Sequence, residues 1–97
     1  MIRIEMSDEY AKWFKKLRDH AARARIITRL KRIEIGSNFG DCEPVGEGVS
    51  ELRFHFGKGY RVYLAQRGET VVVLLAGGTK ATQKKDIQRA KEIAQNL

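Results

Sequence analysis

The sequence predicts one α+β domain spanning residues 1–97, two N-terminal helices and a C-terminal helix around a small, mainly antiparallel sheet, in the order β-α-α-β-β-β-α. Three observations carry this expectation. Apolar residues recur at helical spacing near both ends of the chain. Between them, "ELRFHF", "YRVYLAQ" and "TVVVLLA" read as strands. The glycine-bearing segments "GKG" and "RGE" separate those strands as turns.

Taken in order, "IRIE" alternates apolar and charged residues over Ile2–Glu5 and reads as a short strand. Ser7, followed by Asp8 and Glu9, supplies a capping oxygen and two acids where a helix dipole favours them. Tyr10, Trp13, Phe14 and Leu17 then fall on one face of a first helix. Asp19-His20 breaks it. A second helix is expected from about Ala21 to Ile35, with Ala22, Ile26, Leu30 and Ile33 as its buried stripe and Gly36-Ser37-Asn38 as its end. Residues 36–49 read as a glycine-rich loop. Ile87, Ala90, Ile93, Ala94 and Leu97 place the closing helix after Thr82.

If "GKG" is a three-residue loop, Phe56 faces Tyr60, Phe54 faces Val62 and Leu52 faces Leu64, with every apolar side chain on one side of the hairpin. The opposite side then presents Arg53 across from Tyr63 and His55 across from Arg61. That side is expected to be open to solvent.

A chain of 97 residues is long enough for one core and too short for two. Lys and Arg number 19 against 12 Asp and Glu, a net charge of +7, and the pI is about 9.9. Such a surface attracts polyanions or an acidic partner. Nine of the basic residues lie between Lys12 and Arg32, against one acid, Asp19. Arg25, Arg29 and Arg32 line one helix face, where like charges repel by about 0.2–0.5 kcal/mol per pair unless an anion meets them. Cys42 is the one cysteine, which excludes an internal disulfide and points to a reducing, cytoplasmic setting. The charged N-terminus does not read as a signal peptide, and "VVVLLA" is far too short to span a membrane.

"VVVLLAGGTKATQKKD" resembles the entry to a phosphate-binding turn, but the spacing is wrong. A P-loop needs G-x-x-x-x-G-K-[ST], whereas Gly77-Gly78 is followed at once by Thr79-Lys80. The glycines are expected to bend the chain off an interior strand, with Lys80 at the sheet edge and Gln83, Lys84 and Lys85 on the next turn. His20 and His55 are the two histidines, and no paired-carboxylate or H-E-x-x-H pattern occurs, so no metal or cofactor is expected. His20 reads as a surface or capping residue. No local signature of a Ser-His-Asp or Cys-His nucleophile is present.

The segments "ARARIITRLKRI" (22–33), "GD" (40–41), "VGEGVSELR" (45–53), "GYRVY" (59–63) and "LLAGGTKATQKKDIQRAKEIA" (74–94) together resemble the RelE/ParE superfamily of bacterial toxins, in particular the HigB-like branch of addiction-module killer proteins. The resemblance implies a toxin held by a cognate helix-turn-helix antitoxin. It also implies either ribosome-dependent, metal-independent cleavage of mRNA or, as in the ParE branch, inhibition of DNA gyrase. Arg61 of "GYRVY" is the clearest transferred position, and Lys80 of "GGTK" matches the branch's motif. The strand before "GYR" carries Arg53 and His55 where RNA-cutting relatives place lysines.

The hairpin register and the resemblance together nominate Arg53, His55, Arg61, Tyr63 and Lys80 as the catalytic face, with Arg25, Arg29, Arg32, Gln83, Lys84 and Lys85 as RNA-binding residues. Arginine forks suit phosphate oxygens, and histidine ordinarily titrates near neutrality, so His55 is the base that needs least tuning. Tyr63 is expected to stack on a base or donate a proton, and Lys80 to act as cation or acid. A non-catalytic nucleic-acid-binding module is the remaining alternative.

Overall fold

The computed structural model describes residues 1–97. Five strands form one sheet: β1 (Arg3–Met6), β2 (Cys42–Gly46), β3 (Val49–Arg53), β4 (Tyr60–Arg67) and β5 (Val71–Thr79). Their order across the sheet is β1-β5-β4-β3-β2, with β1 parallel to β5 and the other neighbours antiparallel. Helices α1 (Asp8–Lys16) and α2 (His20–Gly36) cover one side. Helix α3 (Gln83–Gln95), entered through a 3₁₀ turn at Lys80–Thr82, covers the other.

The caps explain where the helices begin. Ser7 Oγ accepts the Tyr10 amide at 3.0 Å and donates to the Leu75 carbonyl at 2.7 Å, pinning the start of α1 to β5. Asp19 caps α2 by accepting the Ala22 amide at 3.0 Å, and its other oxygen takes the Tyr60 hydroxyl at 3.0 Å. His20 is therefore the first residue of α2, exposed, and the cap belongs to Asp19. The left-handed residue that ends α2 is Ser37, at φ 54°.

The architecture departs from the sequence expectation in three places. Residues 36–49 contain a further strand, β2, which pairs with β3 through a tight turn at Glu47-Gly48. Pro44 and three glycines (Gly40, Gly46 and Gly48) hid it, and an edge strand tolerates such residues. The hairpin register is also offset. Leu52 pairs with Val62 rather than Leu64, and Arg53 lies opposite Arg61 rather than Tyr63. Gly57 and Gly59, at φ 53° and 70°, make a wider turn that removes His55 from the ladder altogether. Because the offset is even, the two sides of the hairpin keep their composition.

The third departure concerns layers. An apolar cluster built on Leu52, Phe54, Tyr60, Val62 and Leu64 packs under α1 and α2. A second, built on Val49, Tyr63, Val73, Leu75 and Ala90, packs under α3. One sheet thus carries a core on each side, and the hairpin side expected to be wet is roofed by α3.

Candidate functional site

Roofing by α3 divides the nominated residues into a sealed group and an open one. Tyr63 is fully buried and donates its hydroxyl to Glu51 Oε2 at 3.0 Å. Gln83, from the first turn of α3, donates to the same oxygen at 2.8 Å. Burial, and then the neighbouring Glu51 charge, push the Tyr63 phenol far above its ordinary pKa. Arg61 is 6% exposed; its Nη1 donates to the Gly59 and Tyr60 carbonyls at 3.0 and 3.1 Å. Its Nε stands 3.8 Å from Glu51 Oε1 without a hydrogen-bond partner.

These facts correct the expected roles of Tyr63, Arg61 and Gln83. The Tyr63 and Arg61 polar groups are enclosed beneath α3, where they serve a buried carboxylate and the backbone, while the half-buried Gln83 commits its amide to the same carboxylate. The missing partner was Glu51, which no sequence pattern singled out.

The open group lies at the sheet edge. Asp41, just before β2, accepts Arg53 Nε and Nη2 on one oxygen, at 3.0 and 2.9 Å. Its other oxygen meets His55 Nε2. The hydrogen bonds from Arg53, and then from His55, hold the Asp41 carboxyl below its ordinary range. His55 keeps 66% of its side chain exposed, so it is oriented without being enclosed.

Arg29 builds the support for this group. Its guanidinium lies 4.4 Å over the Phe54 ring and donates to the Phe39, Asp41 and Arg53 carbonyls at 3.3, 3.5 and 3.1 Å. Burial draws its pKa below the ordinary arginine value. Gly40, at φ 68°, presses against the same side chain: a methyl group there would stand 3.2 Å from Arg29 Nε. The "GD" pair thus combines a backbone that only glycine adopts easily with the carboxylate that orders Arg53 and His55.

A cleft of about 400 Å³ opens beside this group, between Arg25, Thr28, Arg29 and Arg32 of α2 on one wall and Phe54, His55 and Phe56 on the other. Arg25 lies 4.3 Å over the Phe56 ring, so both phenyl faces are already covered by guanidinium groups. Such a wall receives phosphate more readily than it stacks a base. The structure therefore brings Arg25, Arg29 and Arg32 together with His55, and sets Arg53 behind it through Asp41.

Lys80 is exposed at the other end of the 54–59 loop: its amide donates to the Gly59 carbonyl at 2.8 Å and its stem packs against Gly59. Lys84 and Lys85 line a separate depression on α3 and do not reach the cleft. Cys42 is half-buried, and burial raises its thiol pKa, leaving it a poor nucleophile.

Gly77 and Gly78 answer to packing and form no phosphate cradle. Both lie inside β5, where successive residues face opposite sides. A methyl group at Gly77 would overlap the Trp13 indole of α1, and one at Gly78 would overlap the Asp86 carboxylate of α3.

The chain matches the phage-derived Gp49-like protein family (DUF891) over residues 12–97. It is 46% identical over 96 residues to an uncharacterized protein of Haemophilus influenzae strain Rd, covering 99% of this chain and 96% of that one. Among solved structures it is similar in fold to an arginine-substituted mutant of the E. coli toxin RelE in the free state, with a TM-score of 0.56 and 14% identity, covering 91% of this chain and 96% of that one. The chain belongs to the phage-derived Gp49-like family, and its fold is similar to that of RelE.

Proposed function

We propose that this protein is a toxin of the RelE superfamily, an endoribonuclease that cuts mRNA on the ribosome without a metal ion, in the manner of the HigB-like branch, and that a helix-turn-helix antitoxin restrains it. The observation that carries this reading is the convergence, in one cleft, of an oriented imidazole and the arginines of α2. His55 takes the proton of a ribose 2′-hydroxyl. The 2′-oxygen attacks the adjacent phosphorus, the bond from phosphorus to the 5′-oxygen breaks, and a 2′,3′-cyclic phosphate forms. The departing 5′-oxygen takes a proton from the Lys80 ammonium, at the far end of the 54–59 loop. Arg25 and Arg32, exposed on α2, hold flanking phosphates, and Arg53 adds positive potential behind the imidazole.

Covered ring faces in the cleft support reading of the RNA backbone rather than of base identity. Codon-positioned cuts, seen when purified protein is added to a translation extract, are the expected result, with His55→Ala slowing them by about 10²–10⁴-fold. Loss of gyrase supercoiling with intact mRNA would replace this reading with the ParE-like one. RNA binding without either effect would leave only a nucleic-acid-binding module.

A further inference from the structure

We infer that Asp41 is the positioning residue of the site: it selects the His55 tautomer that leaves Nδ1 free to act as the base. The inference rests on the endoribonuclease reading for its consequence and on geometry alone for its structural content. Asp41 Oδ2 faces His55 Nε2, while Oδ1 is occupied by two donors from Arg53. A carboxylate only accepts hydrogen bonds, so the neutral ring must carry its proton on Nε2. The lone pair then sits on Nδ1.

The backbone holds this arrangement in register. Arg53 Nη2 also lies 3.6 Å from Glu43, and the Arg53 amide donates to the Asp41 carbonyl at 2.9 Å. Arg29, from α2, holds the Asp41 and Arg53 carbonyls from the other side. The charged groups around the imidazole are thus Arg25, Arg29 and Arg32 on α2, Arg53 on β3, and Asp41. Asp41 is the one anion among them in contact with the ring.

Arg53 makes the arrangement testable with a near-isosteric change. In Asp41→Asn, the amide oxygen must face the two Arg53 donors, which turns the amide NH₂ toward His55 Nε2. That nitrogen must then accept, and the proton moves to Nδ1. The base nitrogen is lost although size and packing barely change. A wrong-tautomer substitution of this kind lowers the rate of a histidine base by about 10⁴-fold in serine proteases.

The experiment is ¹⁵N NMR of the His55 ring in the full-length protein, at a pH where the imidazole is neutral, beside single-turnover RNA cleavage. Wild type is expected to carry the Nε2–H form, and Asp41→Asn the Nδ1–H form, with cleavage reduced by about 10²–10⁴-fold in a variant that remains folded. Asp41→Ser, which withdraws the carboxylate and offers no amide, serves should the first variant not fold: the protected Nε2–H proton resonance is then lost. An Nε2–H ring in Asp41→Asn, or a protected Nε2–H proton that survives in Asp41→Ser, overturns the assignment. A wild-type protein that cuts no RNA overturns the endoribonuclease reading instead, and the tautomer swap still decides the role of Asp41.

Discussion

Arg53 and Arg61 stand directly opposite each other in the β3–β4 ladder, yet one reaches an exposed carboxylate and the other is sealed beneath a helix. The Arg53 side chain is 34% exposed and turns toward the sheet edge, to Asp41 and Glu43. The Arg61 side chain is 7% exposed and turns toward Glu51. Equivalent positions in the ladder therefore carry different chemistry. What separates them is the cover provided by α3.

The two arginines should differ when truncated. Arg61→Ala leaves Glu51 buried without its cation, a loss that typically costs about 3–5 kcal/mol. Chemical denaturation should register it as a lower midpoint. Arg53→Ala should leave that midpoint close to wild type, because its partners remain in contact with water, while lowering RNA cleavage. Equal stability losses in the two variants would contradict the burial difference.

Much of this organisation can be read from the residues, and the failures have specific causes. Alternation in "ELRFHF" and "YRVYLAQ" correctly sorts Leu52, Phe54, Tyr60, Val62 and Leu64 to the side under α1 and α2. It does not determine the pairing, because a shift of two residues preserves every side. Gly57 and Gly59 decide that shift through their backbone angles. The apolar run "VVVLLA" does signal a strand covered on both sides, but which helix covers which side is a tertiary fact. Asp41 escaped notice because its side-chain partners are 12 and 14 residues away, at no motif spacing. Glu51 escaped because a strand glutamate ordinarily faces water.

Salt should report on the cleft. Each arginine that neutralises a phosphate of single-stranded RNA contributes about 0.7 to the slope of log affinity against log salt. Arg25→Ala and Arg32→Ala should each reduce that slope by about this amount in filter-binding titrations. Lys84→Ala should lower affinity for the cleft-bound segment less, because Lys84 lies on a different surface. An unchanged slope in the Arg25 and Arg32 variants would detach the cleft from RNA binding.

Acid should loosen the fold through two carboxyls. Asp19 is held below its ordinary 3.8 first by the Ala22 amide and then by the Tyr60 hydroxyl; Asp41 is held below it first by Arg53 and then by His55. A depressed folded pKa means that the stabilisation is fully present above the unfolded value and is lost as pH falls through the folded one. The thermal midpoint should therefore fall as pH drops below about 4. Asp41→Asn should flatten part of that fall, and Asp19→Asn, which retains an oxygen for the cap, a separate part. A midpoint with the same acid dependence in both variants would remove these carboxyls as its source.

Gly77 should prove irreplaceable for a steric reason unconnected with phosphate. The Trp13 indole lies against its Cα on the α1 side of β5, 5.8 Å from the Tyr10 ring centroid and 6.5 Å from that of Phe14. An added methyl group must push the indole off this aromatic cluster or bend β5, and overpacking of this kind costs about 1–3 kcal/mol. Gly77→Ala should accordingly lower the urea midpoint without changing the slope of the transition. Trp13→Leu, which makes room, should offset part of the loss, so that the double variant is less destabilised than the two single losses added together. Strict additivity would mean that the indole is not what excludes a side chain at position 77.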